Sequence, residues 1–190
     1  LGVVSPEIFI PVAESCGLIA PLSELLIGKA LHDAKSWDPS LSLSVNISSM
    51  QLRDPWFPQK LLKLLLSSKF PPSRLDVEIS ESCLQEDISA VQTMIVSLKN
   101  LGVRVSLDDF GTGFSSLTQL RALPFDRVKI DRSFVGELRR VAEAACQEQD
   151  NQEQQDHIVS TLVSLGRGLQ IPVTAEGIED ASILNTLRGM

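Results

Sequence analysis

Six side chains hold most of the chemistry open to this sequence: Asn46, Glu78, Asp108, Asp109, Lys129 and Glu176. Each closes a short segment in which apolar and polar residues alternate. Four carboxylates and an amide oxygen brought together repel one another unless cations neutralise them. Hard oxygen donors without paired His or Cys favour Mg²⁺ or Mn²⁺ over zinc. Two such ions, with a water between them, activate the water and stabilise the charged phosphate of a phosphodiester under attack. A lysine among the carboxylates would orient or deprotonate that water. Taken one at a time, each residue has a simpler structural reading. Asn46 could form a turn, Glu78 could be a rim charge, Asp108-Asp109 could start a tight turn through Gly111 and Gly113, Lys129 could balance an interior carboxylate, and Glu176 could be a loop charge. Their common place at strand ends favours a site.

The elements that must position them follow from periodicity. Strand candidates are 41–47, 75–79, 103–108, 127–130 and 171–176, each with apolar residues on one side and polar residues on the other. Between them lie helix candidates at 21–37, 58–68, 86–100 and 157–167, the third ending at Gly102. Such βα alternation predicts a parallel sheet with crossover helices. A strand of an open parallel sheet is covered on both faces and reads as nearly continuous apolar. A strand of a (β/α)8 barrel can instead turn polar residues toward an enclosed site at the C-terminal mouth. Because every strand here keeps a polar face, the expected fold is α/β, a TIM-type barrel whose strand ends converge.

Composition narrows the class. With 190 residues, 43% of them hydrophobic, and a net charge of −7, the chain can bury a core and offers no broad basic surface to a nucleic-acid polymer. No apolar run nears the roughly 18 residues of a membrane span, and residues 1–11 lack a basic leader. A cytoplasmic-facing domain is expected, free or carried by a membrane-anchored protein. Cys16, Cys83 and Cys146 share no metal or disulfide spacing and are expected in apolar packing, as are Trp37 and Trp56. Gly111-Thr112-Gly113 alone is a weak phosphate-loop signal. The polar stretch 143–156 is expected as an exposed insertion or loop, or an extension of the next helix, without chemistry.

Read as blocks, Ser5-Pro-Glu-Ile-Phe-Ile-Pro-Val-Ala-Glu14, Val45-Asn-Ile-Ser48, Glu78-Ile-Ser-Glu81, Asp108-Asp-Phe-Gly-Thr-Gly-Phe-Ser-Ser-Leu117, Lys129-Ile-Asp-Arg-Ser-Phe134 and Ala175-Glu-Gly-Ile-Glu179 resemble the EAL-type cyclic di-GMP phosphodiesterase domain, in that family's order and over nearly the whole chain. The resemblance implies a modified (β/α)8 barrel that opens cyclic di-GMP to linear pGpG with Mg²⁺ or Mn²⁺, two ions being expected. It implies Asn46, Glu78, Asp108, Asp109 and Glu176 as metal ligands, Lys129 as the residue positioning the hydrolytic water, and Glu176 as a further ligand or general base. Glu81 would hold the loop after Asp109, which the family uses at its dimer interface. Gln51, Asp109 and Gly111 are candidate substrate contacts. Phe114 stands where tyrosine is common.

The family's Glu-Ala-Leu segment would precede Ser5 and its last strand would follow Met190, so this chain reads as a barrel incomplete at both ends and, alone, weakly active or inactive. A homodimer through the loop after Asp109 and covalently attached sensor or GGDEF-type domains are the expected partners. The competing function is a receptor that binds cyclic di-GMP without cutting it. Degenerate members usually lose some of the carboxylates, and every one that this chain covers is present. A purely structural domain is the third reading and predicts no metal-supported nucleotide binding.

Overall fold

A computed structural model of the chain describes residues 2–85, 87–113, 117–136 and 152–190. The chain divides into two compact units, one of Leu1–Ile79 with Glu86–Val105 and one of Ser80–Gln85 with Ser106–Met190.

The first unit carries helices α1 (Pro6–Ser15), α2 (Ile19–Ala34), α3 (Ser49–Leu52), α4 (Phe57–Ser68) and α5 (Ile88–Asn100), with strands β1 (Leu43–Ile47) and β2 (Leu75–Ser80, its last residue belonging to the second unit). β1 and β2 pair in parallel, Val45 opposite Val77 and Asn46 opposite Glu78. β2 is buried from Leu75 to Ile79, and its two polar members, Asp76 and Glu78, are as enclosed as its apolar ones. A strand covered on both faces yet polar on one is what the barrel expectation required. The helix expected from residue 86 starts at Ile88, because the Asp87 carboxylate caps it by accepting hydrogen bonds from the Ser89 and Ala90 amides at 2.9 and 3.4 Å. Arg74 ties the turn before β2 to the end of α2. Its guanidinium donates to the Leu41, Asp38 and Ala34 carbonyls at 2.7, 3.1 and 3.4 Å and lies over the Phe70 ring.

The second unit holds most of β3 (Arg104–Phe110), then α6 (Leu117–Ala122), β4 (Arg127–Ile130), α7 (Gln152–Leu169), β5 (Val173–Ala175) and α8 (Ala181–Gly189). β3 pairs with β4 and β4 with β5, all in parallel. Ile130, Val135, Val159 and Ile183 form its buried core, and Phe134, Leu162, Val163 and Val173 pack against them. α7 lies close on β5: a Cβ added at Gly166 would fall 2.1 Å from Val173 Cγ2.

Two expectations need correction. Trp37 and Trp56 are exposed, 43% and 66%, because both sit at helix ends and not on a buried helix face. Cys16 is exposed at the end of α1, whereas Cys83 is buried as expected. Gln152 to Asp156 belong to α7, so the end of the polar tract takes the second of its expected forms, an extension of the next helix. Residues 143–151, Cys146 and Phe114 lie outside the described residues. No helix among the described residues is long and apolar enough to cross a membrane.

Candidate active site

In the second unit the site is built around Lys129. This lysine lies on β4 opposite Thr174 of β5, so Glu176, two residues beyond Thr174, falls on the same side. The Lys129 ammonium is ion-paired with the Glu176 carboxylate and stands 3.4 Å from Asp108 Oδ1. Lys129 and Asp108 are each only 13% exposed at the side chain, so this charge exchange is poorly screened by solvent. Asp108 Oδ1 is buried and accepts no hydrogen bond.

Asp108 reaches the lysine through an irregularity that periodicity did not signal. Between Leu107 and Phe110 the β3–β4 register shifts, so that Leu107 pairs with Val128 and Phe110 with Ile130. This is a β-bulge, one extra residue on β3, and Asp109 within it takes a left-handed conformation at φ +56°. Bulges re-aim side chains beside functional sites, and Asp is among the few residues that tolerate positive φ. Burial, then the charges of Asp108, Asp131 and Glu176, push the Asp109 carboxyl above its ordinary value, with Lys129 pulling the other way. A carboxylate so surrounded gains from any nearby cation.

The segment after the bulge is held by Glu81. One oxygen of this buried side chain accepts the amides of Gly111 and Gly113, at 2.9 and 3.0 Å. The chain turns tightly there, with the Thr112 amide and hydroxyl both donating to the Asp109 carbonyl at 3.2 and 2.8 Å. Gly111 is obligatory: its φ is +99°, and a Cβ would lie 2.9 Å from the Phe134 ring.

In the first unit Asn46 and Glu78 are register partners on neighbouring strands, Asn46 exposed and Glu78 buried. Gln51 follows them on α3, where its side chain closes a capping box with Ser48, accepting the Ser48 amide at 3.1 Å. Its Nε2 is buried without a partner. Gln51 thus has a structural task that the sequence reading, which offered it as a substrate contact, did not see.

The donor chemistry fits a hard divalent cation, since Asp108, Asp109 and Glu176 offer only oxygen and one Asp108 oxygen is buried without a hydrogen bond. Among the described residues no three His, Cys, Asp or Glu side chains are gathered as a ready-made cage. The Lys129 ammonium provides the local positive charge beside these carboxylates.

Comparison with known proteins agrees with this architecture. A family model described as EAL domain matches residues 1–190. The chain is 42% identical to an uncharacterized signaling protein of Caulobacter vibrioides over 99% of this chain and 22% of that protein. It is 35% identical to the cyclic di-GMP phosphodiesterase PdeR of Escherichia coli over 95% of this chain and 26% of that protein. Among solved structures, a complex of the PaMucR phosphodiesterase with cyclic di-GMP superposes with a TM-score of 0.86 at 31% identity, covering 99% of this chain and 73% of that one. The chain therefore spans about a quarter of the length of the curated relatives it matches.

Proposed function

Since the chain belongs to the EAL domain family and has the α/β TIM-type barrel fold of its solved members, we propose that it is a metal-dependent phosphodiesterase that hydrolyses cyclic di-GMP to linear pGpG. The observation that carries the proposal is Lys129, 13% exposed and set between the Asp108 and Glu176 carboxylates. Relatives named as cyclic di-GMP phosphodiesterases, at 32 and 35% identity, support the choice of substrate.

Asp108, Asp109 and Glu176 would hold Mg²⁺ or Mn²⁺, and the family resemblance assigns Asn46 and Glu78 to the same task. When bound, such ions polarise a phosphoryl oxygen and raise the acidity of water. The rest of the work falls to this chain's side chains. Lys129 donates a hydrogen bond that fixes the water's oxygen toward phosphorus, and Glu176, paired with Lys129, accepts the water's proton. The water oxygen bonds to phosphorus as the bond to the 3′ oxygen breaks. That oxygen takes a proton from solvent water and leaves as the 3′ hydroxyl of the linear dinucleotide, and Glu176 returns its proton to solvent. Lys129 also offsets one of the two negative charges of Asp108 and Glu176 before substrate arrives, which limits the repulsion between them.

The test is chromatographic conversion of cyclic di-GMP by the full-length protein with Mn²⁺, alongside its Asp108→Asn variant. The proposal predicts pGpG from the wild type and about a thousandfold less from the variant. Equal conversion by both would overturn it. Nucleotide bound intact by the wild type would favour the receptor reading.

A further inference from the structure

The three strands that carry the second unit's site residues do not fix those residues by strand pairing alone. The β3–β4 ladder is interrupted where Asp108 and Asp109 lie, and past the end of β5 at Ala175 a single backbone bond, from the Glu176 amide to the Ile130 carbonyl at 3.2 Å, carries the pairing on. A further element packs against both segments.

The helical turn that leaves β4, the start of a helical stretch at 132–136 with Asp131 just ahead of it, is built for this. It begins at Asp131, two residues after Lys129, and closes on that side chain: the Ser133 amide donates to Asp131 Oδ1 at 2.9 Å, the Ser133 hydroxyl donates to the same oxygen, and the Phe134 amide donates to the Asp131 carbonyl at 3.2 Å. On one side the Phe134 ring lies against Gly111, two residues past Asp109. A Cβ at Gly111 would meet Phe134 Cε2 at 2.9 Å and Cζ at 3.2 Å, with Leu162 of α7 at 3.1 Å. On the other side the turn touches Gly177, the residue after Glu176. There a Cβ would meet Arg132 Cβ at 2.7 Å and Arg132 Cα at 3.3 Å, and φ is +73°. Glycine at both positions lets the turn approach two backbones more closely than any side chain would allow.

We infer that the turn 131–134 is a positioning wedge, with Phe134 and Asp131 as positioning residues that set the spacing of the Asp108-Asp109 bulge and of Glu176 about Lys129. The inference rests on the phosphodiesterase reading for its consequence in turnover, and on contacts alone for its consequence in structure. A displacement of about 1 Å at the reacting groups costs on the order of a hundredfold in rate, so partial loss of the wedge should slow chemistry without weakening substrate capture.

The experiment compares Phe134→Ala, Phe134→Leu, Gly177→Ala and Val159→Ala in the full-length protein, by steady-state hydrolysis of cyclic di-GMP with Mn²⁺ and by hydrogen–deuterium exchange of segment 108–113. Val159 is a core residue of the same cluster and serves as the packing control. Phe134→Ala should lower kcat about tenfold with KM within about twofold, and exchange at 108–113 should quicken about tenfold as the Glu81-held amides loosen. Phe134→Leu should recover most of both. Val159→Ala should lower the melting temperature while leaving kcat within about twofold. Should Phe134→Ala not fold, Gly177→Ala decides by the same kcat and KM criteria, since it presses on the wedge from the opposite side. Unchanged exchange at 108–113 in Phe134→Ala, or a Val159→Ala loss of kcat as large as that of Phe134→Ala, would overturn the wedge. If the wild type hydrolyses no cyclic di-GMP, the phosphodiesterase reading falls, and the exchange comparison still decides the wedge.

Discussion

Lys129 stands between two carboxylates of unequal exposure, Asp108 at 13% and Glu176 at 36%. The more exposed partner is the better placed to exchange a proton with water, which is why Glu176 and not Asp108 is given the role of base. Lys129→Met should lower turnover by about a thousandfold, within the range for a lost acid–base group, with substrate affinity less affected; kcat and KM measured separately check this. Asp109 makes the opposite kind of prediction. Its folded pKa lies above the ordinary carboxylate value of 3.8, chiefly through burial and then through Asp108. Its ionised form therefore costs the cation-free fold stability at neutral pH, and the cost disappears as the pH falls through the folded pKa. Asp109→Asn should melt at a modestly higher temperature than the wild type near pH 7 without metal, while losing activity, because Asn tolerates φ +56° and carries no charge. The identities of Lys129, Asp108 and Glu176 were legible as polar residues at strand ends. The left-handed Asp109 was not, since nothing in an Asp-Asp pair says which of the two will sit in a bulge. The exposed Trp56 was misread for a related reason, because composition shows that an aromatic ring is present and not which way its helix end turns it.

Elements rather than residues decide whether the bulge keeps its shape. Glu81 receives two backbone amides from a segment thirty residues away, on a single oxygen. Glu81→Ala would leave both amides without their acceptor and should destabilise the fold by about 2 kcal/mol, measurable as a lower denaturant midpoint. Asp131 adds a pH dependence. Burial raises its pKa, but the Ser133 hydroxyl and amide, the Arg132 amide and the Arg132 charge outweigh this and hold it below 3.8. Its stabilising contribution is therefore complete above that value and lost as the pH falls through the lower, folded pKa. Asp131→Asn should melt below the wild type near pH 7, and the gap should close in strong acid. The sequence reading located all five strands and four of the helices, because alternation and 3.6-residue spacing report burial directly. It listed no helix at α6, α8 or 132–136; it missed α1, where Ala13 is the one buried residue and gives almost no stripe to read, and the short α3, whose Ser48–Gln51 capping box is a local signal that could have found it.

At the scale of the molecule, the barrel expectation rested on one argument, that a parallel strand with a polar face must border an enclosed interior. Asp76 and Glu78 in β2, and Ser106 in β3, are buried polar residues of that kind, and the solved PaMucR phosphodiesterase shares the fold at a TM-score of 0.86. What stayed hidden in the sequence is the division into two compact units, whose boundaries after Ile79 and Val105 fall inside β2 and β3 and are marked by no residue type. Because the donors are hard oxygens, chelation by EDTA should abolish turnover and Mn²⁺ or Mg²⁺ should restore it, whereas Zn²⁺ should restore little. The central claim is that these side chains deliver a water to a phosphodiester. Its most direct test is incubation of cyclic di-GMP with the protein and Mn²⁺ in water labelled with heavy oxygen, followed by mass spectrometry of the nucleotide. The account predicts linear pGpG with one labelled oxygen on its terminal phosphate, formed by the wild type and not by Lys129→Met. Intact cyclic nucleotide, or a linear product without label, would contradict it.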